Sequence, residues 1–173
     1  MAEKEIKPLP QDLLEQAQFL VRCEGKKPKQ ASLRRAVSTA YYAAFHLLGG
    51  EAARQASPTT PSGLKERVQR SLDHSTMKEA AKRFESQNLP DSIKSLVTIP
   101  MPGALVAVAR DFISLQEERH KADCDLAKPF DRARAQNAVS IASRLFAFWN
   151  AVRDTDDARV FLASQLFSRH WSR

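Results

Sequence analysis

The stretch Ser32 to Leu48, SLRRAVSTAYYAAFHLL, constrains this chain more than any other. Wound as a helix, it puts Arg34, Val37, Tyr41, Ala44 and Leu48 on one stripe, with Arg35, Ser38, Tyr42, Phe45 and His46 beside it. Ala36, Ala40, Ala43 and Ala44 let a neighbouring helix approach closely, which predicts an element running through the middle of a helical bundle. Burying that face carries Arg, Tyr and His inward, an expensive arrangement unless their polar atoms meet partners. A second stretch, Leu115 to Leu126 (LQEERHKADCDL), has the same character: an apolar stripe with Arg, His and carboxylates on or beside it. The two are expected to face each other across a polar seam.

The rest of the chain reads as helices of similar period. Pro10 to Cys23 repeats apolar residues at Leu13, Leu14, Ala17, Phe19, Leu20 and Val21, with Pro at the start, where its missing N–H costs nothing. Gly25 and the basic loop GKKPKQ follow, and Ser32 is the expected N-cap of the second helix. That helix is predicted to run to the Gly49-Gly50 pair, with a loose continuation through EAARQ. Ser57 to Ser62 (SPTTPS) reads as a loop. Leu64 to Leu72 and Met77 to Phe84 read as shorter amphipathic helices, with Asp73 or Ser75 capping the second. Periodicity is lost from Gln87 to Gly103, which predicts a long surface connection. Ala104 to about Asp125 is a long helix with Val108, Phe112 and Leu115 on one stripe. Phe130 to Val152 is a last core helix, and Thr155 caps a terminal helix reaching Phe167. No period-two strand pattern or internal repeat is visible. The expectation is an all-α, up-and-down bundle of about five to seven helices, four of them long and central. It forms one domain over 1–173, with a core over about 10–150 and a terminal helix and tail over 155–173.

Composition agrees and excludes several classes. The five glycines among 173 residues, against many Ala, Leu, Arg, Lys, Glu and Gln, suit helices. Cys23 and Cys124 are the only cysteines, too few for a disulfide framework or a zinc site and in keeping with a reducing, cytoplasmic setting. No metal or cofactor is expected. The opening MAEKEIKPLP has no apolar stretch behind its charges, so no signal peptide and no membrane association is expected. A net charge of +7 favours phosphate-bearing partners.

RRAVSTAYYAAFHLL resembles the signature helix of the HEPN superfamily, and LQEERHKADCDL resembles the downstream segment of a HEPN branch with an Arg followed by Ala-Asp-Tyr, Cys124 standing where that Tyr would be. The resemblance implies a four-to-five-helix bundle, homodimerisation and, in catalytic members, a metal-independent ribonuclease site built from an Arg, four to six residues and a His. There the Arg neutralises the scissile phosphate while the His moves protons as the RNA 2′-OH attacks. Carried over, Arg119 matches the motif Arg, His120 takes the polar position next to it, and Cys124 stands in the place of the catalytic His.

Two sets of catalytic residues follow: Arg119 with His120 and Asp123, or the string Arg67 to His74, which has an Arg, six residues, His spacing outside the expected helix. The bland reading of Arg119 and Asp123 is an i,i+4 ion pair, and of Tyr41, Tyr42 and His46 a set of core side chains with satisfied polar tips. Phosphate contact is expected from Lys26, Lys27, Lys29, Arg34 and Arg35, and from the segment carrying Lys65, Arg67, Arg70, Lys78, Lys82 and Arg83. The tail RHWSR is cationic and aromatic. The reading is a protein of a prokaryotic toxin–antitoxin or antiviral defence context that targets RNA or nucleotide. The alternative is a non-catalytic dimerisation or docking module for a partner such as a nucleotidyltransferase or another defence-system protein.

Overall fold

The computed structural model describes residues 7–56 and 62–167. They form eight helices and no strand: α1 Leu9–Arg22, α2 Gln30–Ala56, α3 Ser62–Ser71, α4 His74–Glu85, α5 Asp91–Lys94, α6 Gly103–Cys124, α7 Arg132–Val152 and α8 Asp156–Phe167. The chain is an all-helical bundle. Helices α1, α2, α6 and α7 are its long central members, and their side-chain ties fix an alternating order. Arg34 and Ser38, early in α2, reach the end of α6 at Ala122 and Asp123. Glu118 and Asp111 of α6 meet Arg134 and Arg144 of α7 in turn, so these two helices also run antiparallel. Arg132 at the start of α7 donates to the carbonyls of Glu24 and Gly25, just past the end of α1.

Between these helices lies one continuous apolar core that includes Leu14, Leu33, Tyr41, Leu48, Leu105, Phe112, Leu115 and Trp149. Each large side chain so buried contributes about 1.5–3 kcal/mol. Helices α4 and α8 extend the core outward, with Phe84 edge-on to Phe161 at 5.1 Å between centroids. Among the described residues, no helix is long and apolar enough to cross a membrane.

Several local expectations are corrected. Ser32 does not cap α2; the helix starts two residues earlier, and the carboxylate of Glu24 takes the Lys29 N–H and the Ser32 hydroxyl instead. Gly49 and Gly50 do not stop α2, which continues to Ala56. Gly49 sits where α3 crosses: a Cβ there would lie 3.2 Å from Leu72 Cδ1, so the missing side chain makes room for the neighbouring helix. Phe19 is 63% exposed, because α1 turns only Leu14, Ala17 and Val21 fully inward. The connection 87–103 is pinned rather than slack, with Leu89, Ile93 and Met101 buried and the Thr98 N–H donating to Asp157 at 2.7 Å. Asp73 and Thr155 cap α4 and α8 as expected, through the N–H groups of Thr76 and Ala158. Residues 57–61 of the SPTTPS loop and the RHWSR tail lie outside the described residues, and Ser62 opens α3.

Candidate functional site

Tyr41 is the centre of the seam. It lies midway along α2, is fully buried, and packs edge-on against Tyr42 and against Phe45 and Phe112. Two polar groups from other helices rest on it. The guanidinium of Arg119, on α6, lies over the ring at 5.2 Å from its centroid. The hydroxyl is 2.5 Å from Nδ1 of His74, the first residue of α4.

The start of α4 is held firmly. The Asp73 carboxylate accepts from the Thr76 N–H and both the Ser75 and Thr76 hydroxyls. The carbonyl of His74 accepts from Gln116 Nε2 at 2.7 Å, tying the first turn of α4 to α6 one turn before Arg119. The imidazole then packs, tilted, with its centroid 4.4 Å from that of Phe45 and lies edge-on to Tyr42. His46 also packs against Tyr42 and Phe45, with Nδ1 buried and without a hydrogen-bond partner among the described residues.

Arg119 is held from below by Asp123, 3.5 Å away one turn later. The same carboxylate accepts the Ser38 hydroxyl from α2, so it fixes the guanidinium across the seam. The Nε of Arg119 is buried with no partner. Beside the guanidinium opens a cleft of about 380 Å³ between α4 and α6, lined by Arg119, His120, Lys78 and Lys121 together with the carboxylates of Glu79 and Glu117 and the polar Ser75 and Gln116. Lys78 pairs with Glu117 at 3.1 Å.

The electrostatics follow from burial. Tyr41's phenol is pushed above its usual range by burial, against the pull of Arg119. His74 is held below the ordinary histidine value by burial and by the Arg119 charge, against the opposing pull of Asp73; burial lowers His46 in the same direction. Both imidazoles are neutral at neutral pH. The arrangement presents a fixed cation and an uncharged imidazole at one spot, a combination suited to a phosphodiester.

The structure therefore brings Arg119, Asp123, Tyr41, Tyr42 and His74 together and leaves others apart. The pairing of Arg67 with His74 is corrected: Arg67 is exposed on α3, and the guanidinium that accompanies His74 is Arg119, because α4 folds back onto α2 and α6. His120 is exposed on the cleft wall, turned about 100° from its neighbour as adjacent helical residues are. Cys124 is an exposed free thiol at the end of α6. The imidazole beside Arg119 thus comes from another helix.

Arg34 is also corrected as a phosphate contact. Its guanidinium donates to the carbonyls of Ala122 (2.7 Å), Asp125 (3.0 Å) and Lys128 (2.6 Å) and lies 5.0 Å from the Phe130 ring centroid. It caps the C-terminus of α6, where unpaired carbonyls and the helix dipole favour a cation. Lys26, Lys27 and Arg35 are exposed and make no ion pair among the described residues. Lys29 is likewise exposed, while Arg70 pairs with Glu66 at 3.8 Å on the surface. Ser38 and Phe45, read from the sequence as lying beside the stripe, do take part in the seam, while Gln116 had no signal that could have found it. No group of three or more His, Cys, Asp or Glu suited to a metal ion occurs among the described residues.

Comparison with protein-family models, curated proteins and solved structures finds no match for the chain.

Proposed function

We propose that this chain is a HEPN-like bundle protein that binds RNA and cleaves it without a metal at the Arg119–His74 seam. The observation that carries the reading is the convergence of Arg119 and His74, from different helices, on the buried ring of Tyr41. It replaces the missing His at position 124 with one supplied through space. In this scheme Arg119 sets its charge against the scissile phosphate as negative charge builds on the equatorial oxygens. The 2′-oxygen bonds to phosphorus as the P–O5′ bond breaks; the 2′-OH proton passes to solvent and O5′ takes one up, leaving 2′,3′-cyclic phosphate and 5′-hydroxyl ends. The imidazole of His74 stands beside the same phosphate. Arg35 lies about 9 Å along α2 from Tyr41 at 1.5 Å per residue, and Lys26, Lys27 and Lys29 precede the helix start at Gln30, about 16 Å from Tyr41, a spread over which they would hold flanking backbone phosphates. A homodimer acting in a toxin–antitoxin or defence setting fits this activity.

The test is incubation of purified protein with end-labelled RNAs of varied sequence in excess chelator. Cleavage with cyclic-phosphate ends is expected, falling about 10²–10⁴-fold in Arg119→Ala and His74→Ala. RNA left intact by the protein, alone and with the products of neighbouring genes, overturns it. That outcome favours the second reading, supported by the Asp123 and Ser38 ties on Arg119, in which the seam only holds helices in register and the bundle docks a partner such as a nucleotidyltransferase.

A further inference from the structure

We infer that Tyr41 locks His74 in one tautomer, the phenol donating to Nδ1 and the ring proton standing on Nε2, so that His74 faces its ligand as a hydrogen-bond donor and not as a base. The inference rests on the functional reading above only for the identity of the ligand; the lock itself stands on geometry.

Two polarities are compatible with a Tyr41–His74 distance of 2.5 Å. In one, Nδ1–H donates to the phenol oxygen. The phenol's own proton then needs an acceptor, and Tyr41 is fully buried, its other polar neighbour being Arg119, which can only donate. An orphaned O–H in that position costs the full desolvation of a donor. In the other, the phenol donates to a bare Nδ1 and its lone pairs face the guanidinium lying over the ring, where a cation favours electron-rich oxygen. Only this polarity gives the buried phenol proton an acceptor.

The rest of the surroundings agree. The charged groups facing His74 are Arg119 from α6 and Asp73 at its own helix start, with His46 from α2 nearby and Tyr41 and Tyr42 uncharged. Burial and Arg119 oppose a second ring proton, so the imidazole stays neutral. With Nδ1 occupied as an acceptor, the single proton belongs to Nε2. That nitrogen has no hydrogen-bond partner among the described residues and is absent from their buried unpaired atoms, and His74 is only half-buried. A ligand approaching Arg119 therefore meets two donors, a guanidinium and an imidazole N–H, which select an anion with at least two acceptor oxygens. A nitrogen already carrying its proton cannot take one from a 2′-OH. In this role Tyr41 is a positioning residue.

The experiment uses the full chain with ¹⁵N-labelled histidine and no RNA, reading both ring nitrogens by long-range ¹H–¹⁵N correlation near neutral pH. His74, assigned by its loss in His74→Gln, is expected to show a bare Nδ1 and a protonated Nε2. In Tyr41→Phe, which keeps the ring and loses only the donor, it is expected to become a mixture of tautomers with a higher pKa. A protonated Nδ1 in the wild type overturns the lock, as does a tautomer unchanged in a folded Tyr41→Phe; if that variant does not fold, the wild-type spectrum decides alone. In RNA binding, His74→Gln, which keeps a donor, is expected to retain more affinity than His74→Ala, and equal losses overturn the donor role. An inactive protein with the stated tautomer sinks the ribonuclease reading and leaves the lock intact.

Discussion

Replacing Arg34 by Ala separates a structural cation from a ligand-binding one. Its three hydrogen bonds end on the last carbonyls of α6 and the loop beyond, joining residues 88 to 94 positions apart in sequence. The Ala122 carbonyl belongs to a residue only 3% exposed, so losing a charged donor there costs about 1.5–3 kcal/mol. The Asp125 and Lys128 carbonyls rehydrate, which reduces their share to about 0.5–1 kcal/mol each. Loss of the contact with Phe130 adds about 0.5–1 kcal/mol. The sum is roughly 3–6 kcal/mol, a fall in Tm of roughly 6–24 °C for a chain of this size. Arg34→Lys recovers less than half, because an ammonium lacks the planar fork that reaches three carbonyls. Urea unfolding and thermal melts measure the loss, and RNA affinity measured on folded variant at low temperature is expected to stay within about twofold of wild type. A stability change below 1 kcal/mol together with a large loss of affinity would refute the capping argument.

Further outcomes follow from the same contacts. Gly50→Ala should stabilise by about 0.5–1 kcal/mol, because an added Cβ meets nothing within 4 Å, while Gly49→Ala gains less against Leu72; urea midpoints in the reverse order would contradict this. Arg144→Ala strips the partner from Asp111, a carboxylate 1% exposed and bound through both oxygens, and should cost roughly 3 kcal/mol in chemical denaturation. His46 and His74 both have folded pKa values below the reference 6.5, so the unfolded chain binds more protons over that window. Stability is full above 6.5 and falls as pH drops from there toward the folded values, before Glu118, whose pKa is lowered from 4.5, begins to protonate. His74→Gln should flatten that part of the stability profile; an unchanged slope would contradict it. Cys124→His should leave RNA cleavage unaltered, because His74 already provides the imidazole, and a large gain would point instead to a lapsed site at 124.

Much of the fold was legible because it is written in local period. The stripes of α6 and α7 and the Asp73 cap of α4 depend on residues within a turn or two, and their boundaries match the structure closely. The facing of Tyr41 and Arg119 was also legible, since a buried face with polar groups needs a complement. The gaps have a common physical origin in tertiary contact. His74 was matched to Arg67 by spacing along the chain, whereas its partner Tyr41 lies 33 residues away and is met only because α4 folds back over α2. Arg34 has the composition of a phosphate contact and the environment of a helix cap, and only the position of the α6 terminus decides between them. Gly49 resembles a stop signal; the crossing of α3 makes it a packing residue.

The central claim, that Arg119 and His74 act as one unit on an RNA phosphodiester, is tested most directly by a double-mutant cycle on metal-free RNA cleavage with Arg119→Ala, His74→Ala and the double variant. The account predicts that either single change removes most of the rate and that the double loses little more than the worse single. Losses that simply multiply, or a wild-type protein that leaves RNA uncut, would contradict it.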